Sequence, residues 1–490
     1  MIATVEVCES IEMAVRAGRI GEARALLEKI SPAQIPRDGY AKVAELYRRA
    51  GMVENAVRLL SKVVRSDREM DAPASALELG EYAIALVKLG AIVEGRTILH
   101  GLCEKIPIAN YYLGLTHFPE WNYSAAIPVL ENFVQSSDND SYTALVASAN
   151  LASAYVHCRS RDKAEAVITQ GLLSARHRNL RLLEANFLEL SAQLALDRRE
   201  YSKALSLLNS SVEILRASGL FDELFVNKWL ALVAAYKSPE SASEILIQTR
   251  RRASELKHWE TLRDLDHHQA FLMRDQKLYH HLFHGTPHQA YRIYLRGLFA
   301  DLASPASIYD WNLTDVNAAK VFDVRSAVFD GTATTIKEGQ LLHKLLLELA
   351  GDFYKPARIT SLAARLFEGQ FFDLATMSNR VHQLIVRLRK VFSSHGIPLE
   401  IEDTPSGYRL TSKQPMILRV GESVRDGSLA KIEKLRTSLP EAPFSIKQAA
   451  QSLACSESSA LRIVNSGIEA GYIRRATLGK RTVYEFKFAG

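Results

Sequence analysis

The sequence predicts a mainly α fold, in which an N-terminal α-solenoid is followed by two small α+β domains. Residues 1–262 have helical periodicity, few prolines and a recurring pattern of small residues. Twice in the last third of the chain, helices are followed by a pair of short strands. The 490 residues are enough for about three or four domains, and 47% hydrophobic with 24% charged residues is a globular composition.

Residues 1–262 are predicted to form repeated helical hairpins. A small residue followed four positions later by an apolar one recurs at intervals of roughly 30 to 40 residues. Small residues are needed where the two helices of a hairpin cross closely, and a glycine can open the turn between them. The pairs are Ala23/Leu27, Ala56/Leu60, Gly95/Leu99, Ala126/Leu130, Ala164/Ile168, Ala204/Leu208 and Ala242/Leu246.

Several of these pairs have companions that strengthen the pattern. Gly18, Gly51 and Gly90 lie five residues before the small residue, and Tyr47 and Tyr155 lie nine before it. The pattern resembles the tetratricopeptide repeat, although some intervals of about 38 to 40 residues exceed the standard length. The resemblance implies a solenoid whose concave side binds a protein, peptide or small-molecule effector. A non-repeating helical domain is the alternative.

Tyrosines are frequent in the repeats and have two interpretations. They could line the concave groove, but tyrosine at helical spacing in a repeat protein is more often part of the core. These residues are Tyr40, Tyr47, Tyr82, Tyr111, Tyr112, Tyr142 and Tyr155.

Residues 263–315 are predicted to be a polar helical connector rich in histidine. The spacing of His280, His284 and His288 would permit a metal site on one helical face. However, Gly285-Thr286-Pro287 interrupts the helix before His288, and no carboxylate lies nearby in the sequence. We therefore predict no metal site and no cofactor here.

The helix predicted over Met377–Phe392 has one apolar and one basic face. Its apolar residues recur every three to four positions, and it contains no acidic residue. Arginine and glutamine can bind guanine and adenine edges through two hydrogen bonds, whereas a merely solvated charged face usually includes acids. The DNA contacts predicted on this helix are Arg380, His382, Gln383, Arg387, Arg389 and Lys390.

The whole of residues 316–414 is predicted to be a winged helix. Strands at Val321–Arg325, Ala327–Phe329 and Ala333–Ile336, with a turn at Asp330-Gly331, precede helices at Glu338–Ala350 and Ile359–Phe367, the basic helix, and strands at Leu399–Glu402 and Tyr408–Thr411. The runs Arg387-Leu388-Arg389-Lys390 and Gly407-Tyr408-Arg409-Leu410 resemble the OmpR/PhoB-type effector domain of bacterial response regulators.

This resemblance implies that the third helix enters the major groove of double-stranded DNA and that the wing reaches the backbone or the minor groove. The family often has a basic residue early in the wing, where this chain has Thr404. Arg409 is therefore the DNA contact predicted in the wing.

A second winged helix is predicted over residues 427–490. Ser445 and Ser456 are N-caps of helices at Ile446–Leu453 and Glu457–Ala470, and a hairpin of Tyr472–Ala476 and Arg481–Phe488 follows. The stretch from residue 446 to residue 473 resembles the winged helix of MarR- and ArsR-like repressors. The predicted DNA contacts are Ser458, Ser459, Arg462, Asn465, Arg474, Arg475, Lys480 and Arg481. Docking to a protein is the alternative.

Charge and cysteine content add two expectations. The net charge is +6, with about +7 on residues 321–490 and about −1 on residues 1–320, so the basic character lies in the part predicted to bind DNA. The four cysteines are scattered without metal-ligand spacing, which favours free thiols in a reducing compartment. Because we find neither a signal peptide nor an apolar run of ~18 residues, we expect a cytoplasmic protein with no membrane contact.

The chain contains no Walker loop, dinucleotide-binding glycine motif, zinc-protease motif, nucleophile elbow or kinase motif, so we do not expect an enzyme. Together the features predict a bacterial-type transcription regulator, whose parts are similar to those of SARP-type regulators in reversed order. The alternative is a non-enzymatic scaffold whose repeats bind a protein and whose winged helices mediate assembly. A homodimer is compatible with both interpretations.

Overall fold

The computed structural model shows a mainly α architecture with small sheets, which confirms the predicted fold class. It describes residues 2–65, 72–137, 141–217, 223–313, 320–367, 370, 372–421, 435, 438–439, 443–453, 455–469, 473–478 and 481–486. The chain divides into two units: the first contains residues 1–286 and 290–421, and the second contains residues 287–289 and 422–490.

Fourteen α-helices of the described residues make up the first half of the chain. Consecutive helices pack on one another, as is typical of antiparallel neighbours with short connections. They are α1 (Ile2–Arg16), α2 (Ile20–Leu27), α3 (Tyr40–Arg49), α4 (Val53–Val64), α5 (Ala76–Leu89), α6 (Ile92–His100), α7 (Ile108–Leu115), α8 (Tyr123–Ser136), α9 (Tyr142–His157), α10 (Arg161–His177), α11 (Arg181–Asp197), α12 (Tyr201–Ala217), α13 (Glu223–Lys237) and α14 (Ala242–Glu255).

The small and apolar residues of the predicted repeat lie on the second helix of each hairpin, and all of them are buried. Gly95 shows why the small residue is needed. A Cβ atom there would lie 2.6 Å from the carbonyl oxygen of Ala83 and 2.6 Å from Cγ2 of Val87. The turn glycines Gly18 and Gly51 have φ angles of 72° and 77°, in the left-handed region that favours glycine.

Three further helices occupy the region predicted as a connector: α15 (Trp259–Met273), α16 (Gln276–His284) and α17 (Gln289–Leu298). Helix α16 ends at His284, immediately before the Gly285-Thr286-Pro287 stretch that is predicted to interrupt it. Within the described ranges, no group of three or more His, Cys, Asp or Glu side chains is placed to hold a metal ion. No helix of the described part is long and apolar enough to span a membrane.

A mixed α+β region, here called the three-helix unit, follows. Its elements are β1 (Ile308–Asn312), β2 (Lys320–Asp323), β3 (Val328–Phe329), β4 (Thr332–Ala333), α18 (Leu341–Ala350), α19 (Ile359–Leu366), α20 (Leu374–Ser394), β5 (Leu399–Thr404), β6 (Gly407–Ser412) and β7 (Met416–Gly421). One sheet has the order β1-β7-β2-β3-β4, in which β2 is parallel to β7 and the other pairs are antiparallel, while β5 and β6 form a separate hairpin.

The order of small strands, three helices and a hairpin is the order expected from the sequence. The predicted turn at Asp330-Gly331 joins β3 to β4, and both residues have positive φ angles, as a two-residue hairpin turn requires. Strands β1 and β7 were not predicted. They pair with each other, and β7 also pairs with β2.

One apolar core is continuous between the first repeats and the three-helix unit. It includes Tyr82 and Leu86 of α5, Phe283 of α16, Phe353 before α19 and Leu362 of α19. Further cores lie between α5 and α11 and between α11 and α15. The side chains that stabilise the basic helix α20 therefore belong to the same core as the first hairpins.

The second unit has its own small core. Its elements are α21 (Ile446–Leu453), α22 (Glu457–Glu469), β8 (Ile473–Leu478) and β9 (Arg481–Phe486). The helical spacing predicts Leu461, Val464 and Ile468 on the inward face of α22. Val464 is buried and Ile468 packs against the core, whereas Leu461 is 37% exposed. Ala460 and Ile463 are buried as well, so the apolar face of α22 includes these two residues in place of Leu461. The sequence also predicts a helix over Ser428–Leu439, and this stretch lies mostly outside the described residues.

Candidate nucleic-acid interface

Helix α20 has the apolar face that the sequence predicts. Its first turn is capped by Asp373, whose Oδ1 accepts a hydrogen bond of 2.7 Å from the backbone N–H of Thr376. The buried residues recur at helical spacing, so the opposite side of the helix is left to solvent. The buried residues are Met377, Val381, Leu384, Ile385, Leu388 and Phe392.

Three of the six predicted contacts on α20 are held by other parts of the three-helix unit. The guanidinium of Arg380 lies 3.6 Å from the ring centre of Phe367 and donates a hydrogen bond of 2.7 Å to Gln370. His382 Nδ1 lies 2.8 Å from the hydroxyl of Tyr408, and Arg389 donates a hydrogen bond of 2.6 Å to the carbonyl of Ile401. The last two contacts fasten α20 to the β5–β6 hairpin.

The other three predicted contacts, Gln383, Arg387 and Lys390, are exposed. Among the described residues, none of the three side chains has a hydrogen-bond or ion-pair partner. Asn379 and Val386 lie beside them and are also exposed, and neither is among the contacts predicted from the sequence. Asn379, Gln383, Val386 and Lys390 are spaced by four, three and four residues. This spacing is visible in the sequence and predicts that Asn379 and Val386 lie on the same face as Gln383 and Lys390.

The hairpin carries the remaining predicted contact of this unit. Arg409 lies on β6, opposite Glu402 in the strand pairing, and its guanidinium carbon lies 5.6 Å from the ring centre of Trp259 at the start of α15. The structure thus places Arg409 against the helical repeats as well as on the hairpin. Thr404 is used locally, because its hydroxyl donates a hydrogen bond of 2.7 Å to the carbonyl of Gly407.

The repeats contact α19 itself and the chain just before α20. Gly90, at the end of α5, packs so closely on α19 that a Cβ atom would lie 2.2 Å from Ser361 Oγ and 2.9 Å from Ser361 Cα. The backbone N–H of Phe372, just before α20, donates a hydrogen bond of 2.8 Å to Glu94 of α6. Arg65 holds the other oxygen of Glu94 at 2.8 Å. The start of α20 is therefore positioned directly by α6.

A buried ion pair is a second contact between α15 and the three-helix unit. Arg263 of α15 donates hydrogen bonds of 2.8 and 2.9 Å to the two carboxylate oxygens of Asp352, and its side chain is 1% exposed. Burial acts to lower the pKa of Arg263, but Asp352 and Glu260 raise it overall. The hydroxyl of Tyr354 donates a hydrogen bond of 2.6 Å to Asp266.

Most of the tyrosines considered above belong to the core. Tyr47, Tyr82, Tyr111, Tyr112 and Tyr155 are buried, and Tyr40 and Tyr142 are partly exposed. Tyr142 lies under two cations, with the guanidinium carbons of Arg16 and Arg49 at 4.6 and 5.8 Å from its ring centre. Both arginines are also paired with acids of α1 or α3.

A second polar cluster joins α13 and α15. Lys228 and Asp264 form an ion pair of 2.8 Å, and Tyr236 Oη lies 2.9 Å from Nδ1 of His268. Burial lowers the pKa of His267 to about 4. Burial also lowers the pKa of His268, helped by the neighbouring His267, to about 3. Both imidazoles are therefore neutral at pH 7.

The second unit presents a more mixed surface. Arg474 donates a hydrogen bond of 2.8 Å to Glu485, and Arg475 lies 5.9 Å from the ring centre of Tyr484. Ser458, Arg462 and Asn465 are exposed on α22, and Ser459 is partly exposed. Arg462 donates a hydrogen bond of 3.2 Å to Ser459. Lys480 and the side chain of Arg481 lie outside the described residues.

Comparisons with known proteins give only a distant structural likeness. No protein-family model matches the sequence, and the search of curated proteins finds no match. A Rap protein crystallised with competence and sporulation factor is similar in structure, with a TM-score of 0.42 and 11% identity, over 61% of this chain and 88% of that chain. The apo form of RapI gives a TM-score of 0.37 at the same identity and coverage. Likeness at this level carries no argument about function.

Proposed function

We propose that the chain is a DNA-binding transcription regulator in which α20 enters the major groove and the helical repeats bind an effector. The observation that carries the proposal is the outward face of α20. It has no acid, its opposite face is buried in the core, and Gln383, Arg387 and Lys390 project into solvent. A basic face on a fixed helix is complementary to the phosphate-lined major groove.

The arrangement of the repeats supports effector control. Helix α6 holds the backbone just before α20 through Glu94, and α5 packs against α19 through Gly90. A ligand that binds the repeats with different affinity in two arrangements would therefore move the start of α20. A peptide, a protein surface or a small molecule could each act in this way.

A mobility-shift titration tests the proposal. The full chain is incubated with genomic fragments at two salt concentrations, and binding is compared with that to a random duplex. We expect sequence-selective binding whose affinity falls steeply as salt rises, because each phosphate contact releases counterions. Absence of binding at low salt, or binding without sequence preference, would contradict DNA-directed regulation.

Two observations favour binding to a protein as the role of the second unit. The outer surface of that unit has an exposed Leu461, and Arg474 is already paired with Glu485. A mixed apolar and polar surface suits docking to a protein better than tracking a phosphate backbone. Removal of residues 427–490 should then leave the length of the DNA footprint unchanged and abolish binding to a partner protein.

A further inference from the structure

Helix α20 carries a stripe of residues whose chemistry matches A·T base pairs. Asn379, Gln383, Val386 and Lys390 are spaced by four, three and four residues, so they lie along one line of the helix. All four are exposed. Because Arg380, His382 and Arg389 are held by neighbouring groups, we assign the contact with a duplex to this stripe and to Arg387, which are exposed on the side away from the core.

Val386 is the unusual member of the stripe. It is 62% exposed and lies between Gln383 and Lys390, on the side of the helix away from the core. Single exposed apolar side chains are common on protein surfaces, but this one is at the centre of the face proposed to meet DNA. In the major groove, the apolar group that a base pair presents is the C5-methyl of thymine.

The spacing of the stripe fits neighbouring base pairs. Gln383 and Val386 are separated by about 4.5 Å along the helix axis, and successive base pairs are separated by about 3.4 Å. Glutamine can bind the N6 and N7 edge of adenine through two hydrogen bonds. Asn379 has the same amide chemistry one turn earlier, so the polar members of the stripe also favour adenine.

We propose that Val386 packs against the C5-methyl of a thymine, in the base pair next to an adenine bound by Gln383. The inference rests on the proposed function and adds to it the class of base pair that α20 selects. The site bound by the full chain should therefore contain adjacent A·T pairs at its most selective positions.

The test removes one methyl group from the DNA and one side chain from the protein. Sites are first selected from a randomised duplex library with the full chain. Each thymine of the selected site is then replaced singly by deoxyuridine, which keeps base pairing and lacks the C5-methyl. At one position we expect the affinity of the wild-type chain to fall about four-fold, the effect of losing one buried methyl contact.

The variant Val386→Ala should bind the thymine site more weakly and should show no further loss when that thymine becomes deoxyuridine. Ile247→Ala removes an apolar side chain that is 60% exposed on α14, and it should keep the full effect of the substitution. A selected site whose affinity depends on no thymine methyl, or an equal loss in wild type and Val386→Ala, overturns the inference alone. A chain that selects no duplex overturns both the inference and the proposed function.

Discussion

Whether a cation on α20 can meet DNA depends on the partners that it finds within the protein. Arg380 and Arg387 look equivalent in the sequence, since both follow the basic periodicity of the helix. In the structure, Arg380 lies over Phe367 and binds Gln370, whereas Arg387 is exposed. A guanidinium already stacked and hydrogen-bonded must give up those contacts before it binds a base.

Arg387→Ala should therefore weaken binding to the selected DNA site by about 1–3 kcal/mol and reduce discrimination against a random duplex. Lys344 is exposed on α18 in the same unit, and Lys344→Ala provides the matched control with little change. Equilibrium binding to both duplexes checks the prediction. An equal loss on the selected and the random duplex would show that Arg387 contacts phosphate only.

His268 predicts a pH dependence of stability. Its pKa is lowered to about 3 by burial and by His267, whereas the unfolded chain should titrate near the ordinary value of 6.5. The unfolded state therefore binds more protons below pH 6.5, and the stability contributed by neutral His268 is lost as the pH falls towards 3.

The variant His268→Gln should consequently show a smaller fall in Tm between pH 7 and pH 5 than the wild-type chain. Between pH 8 and pH 9, where the imidazole is neutral in both states, the two Tm curves should run parallel. Thermal unfolding followed by circular dichroism makes the comparison. The same fall in Tm between pH 7 and pH 5 for both proteins would show that the pKa of His268 is not lowered in the folded state.

At the scale of secondary-structure elements, the contact between α5 and α19 joins the first repeats to the three-helix unit. The contact depends on Gly90, which has a φ angle of 97° and leaves no room for a side chain against Ser361. The same glycine was selected from the sequence for the turn of its own hairpin. It therefore has a second role that involves a residue far away in the chain.

Gly90→Ala should lower the free energy of unfolding by roughly 1–2 kcal/mol for the left-handed backbone alone, and by more because the Cβ atom collides with Ser361. Gly297→Ala is the control, since a Cβ atom there meets nothing within 4 Å and alanine is favoured in a helix. Urea unfolding measures both changes. Equal stability of the two variants would show that α5 and α19 are less closely packed than described.

At the scale of the first unit, the repeats and the three-helix unit depend on each other. They share one apolar core and the buried pair of Arg263 and Asp352. A fragment beginning at Ser307 would lose α1 to α17 and would expose the side of α19 that faces α5. DNA-binding measurements should for this reason use the full chain.

Asp352→Asn should cost about 3 kcal/mol of stability, the low end of the range for breaking a buried ion pair, because Arg263 loses the carboxylate to which it is hydrogen-bonded and keeps only the longer pair of 3.4 Å with Glu260 among the described residues. Asparagine keeps the oxygen that accepts hydrogen bonds from the backbone N–H groups of Tyr354 and Lys355, so the change preserves this turn and removes the charge and one of the two acceptors of Arg263. Asp301→Asn is the matched control. It breaks a pair with Arg274 in which both side chains are about half exposed, and such pairs contribute about 0–1 kcal/mol.

The sequence by itself determined the hairpins, the buried crossing residues and the two faces of α20, because these features follow from periodicity within single helices. It also located the turn at Asp330-Gly331, which depends on local backbone preference. Only the tertiary structure decided which cations are free, since Phe367, Tyr408 and Ile401 lie on other elements than α20. The contacts of Gly90 with Ser361 and of Arg263 with Asp352 could not be predicted from the sequence either, because residues far apart in the chain make contacts that leave no periodic pattern.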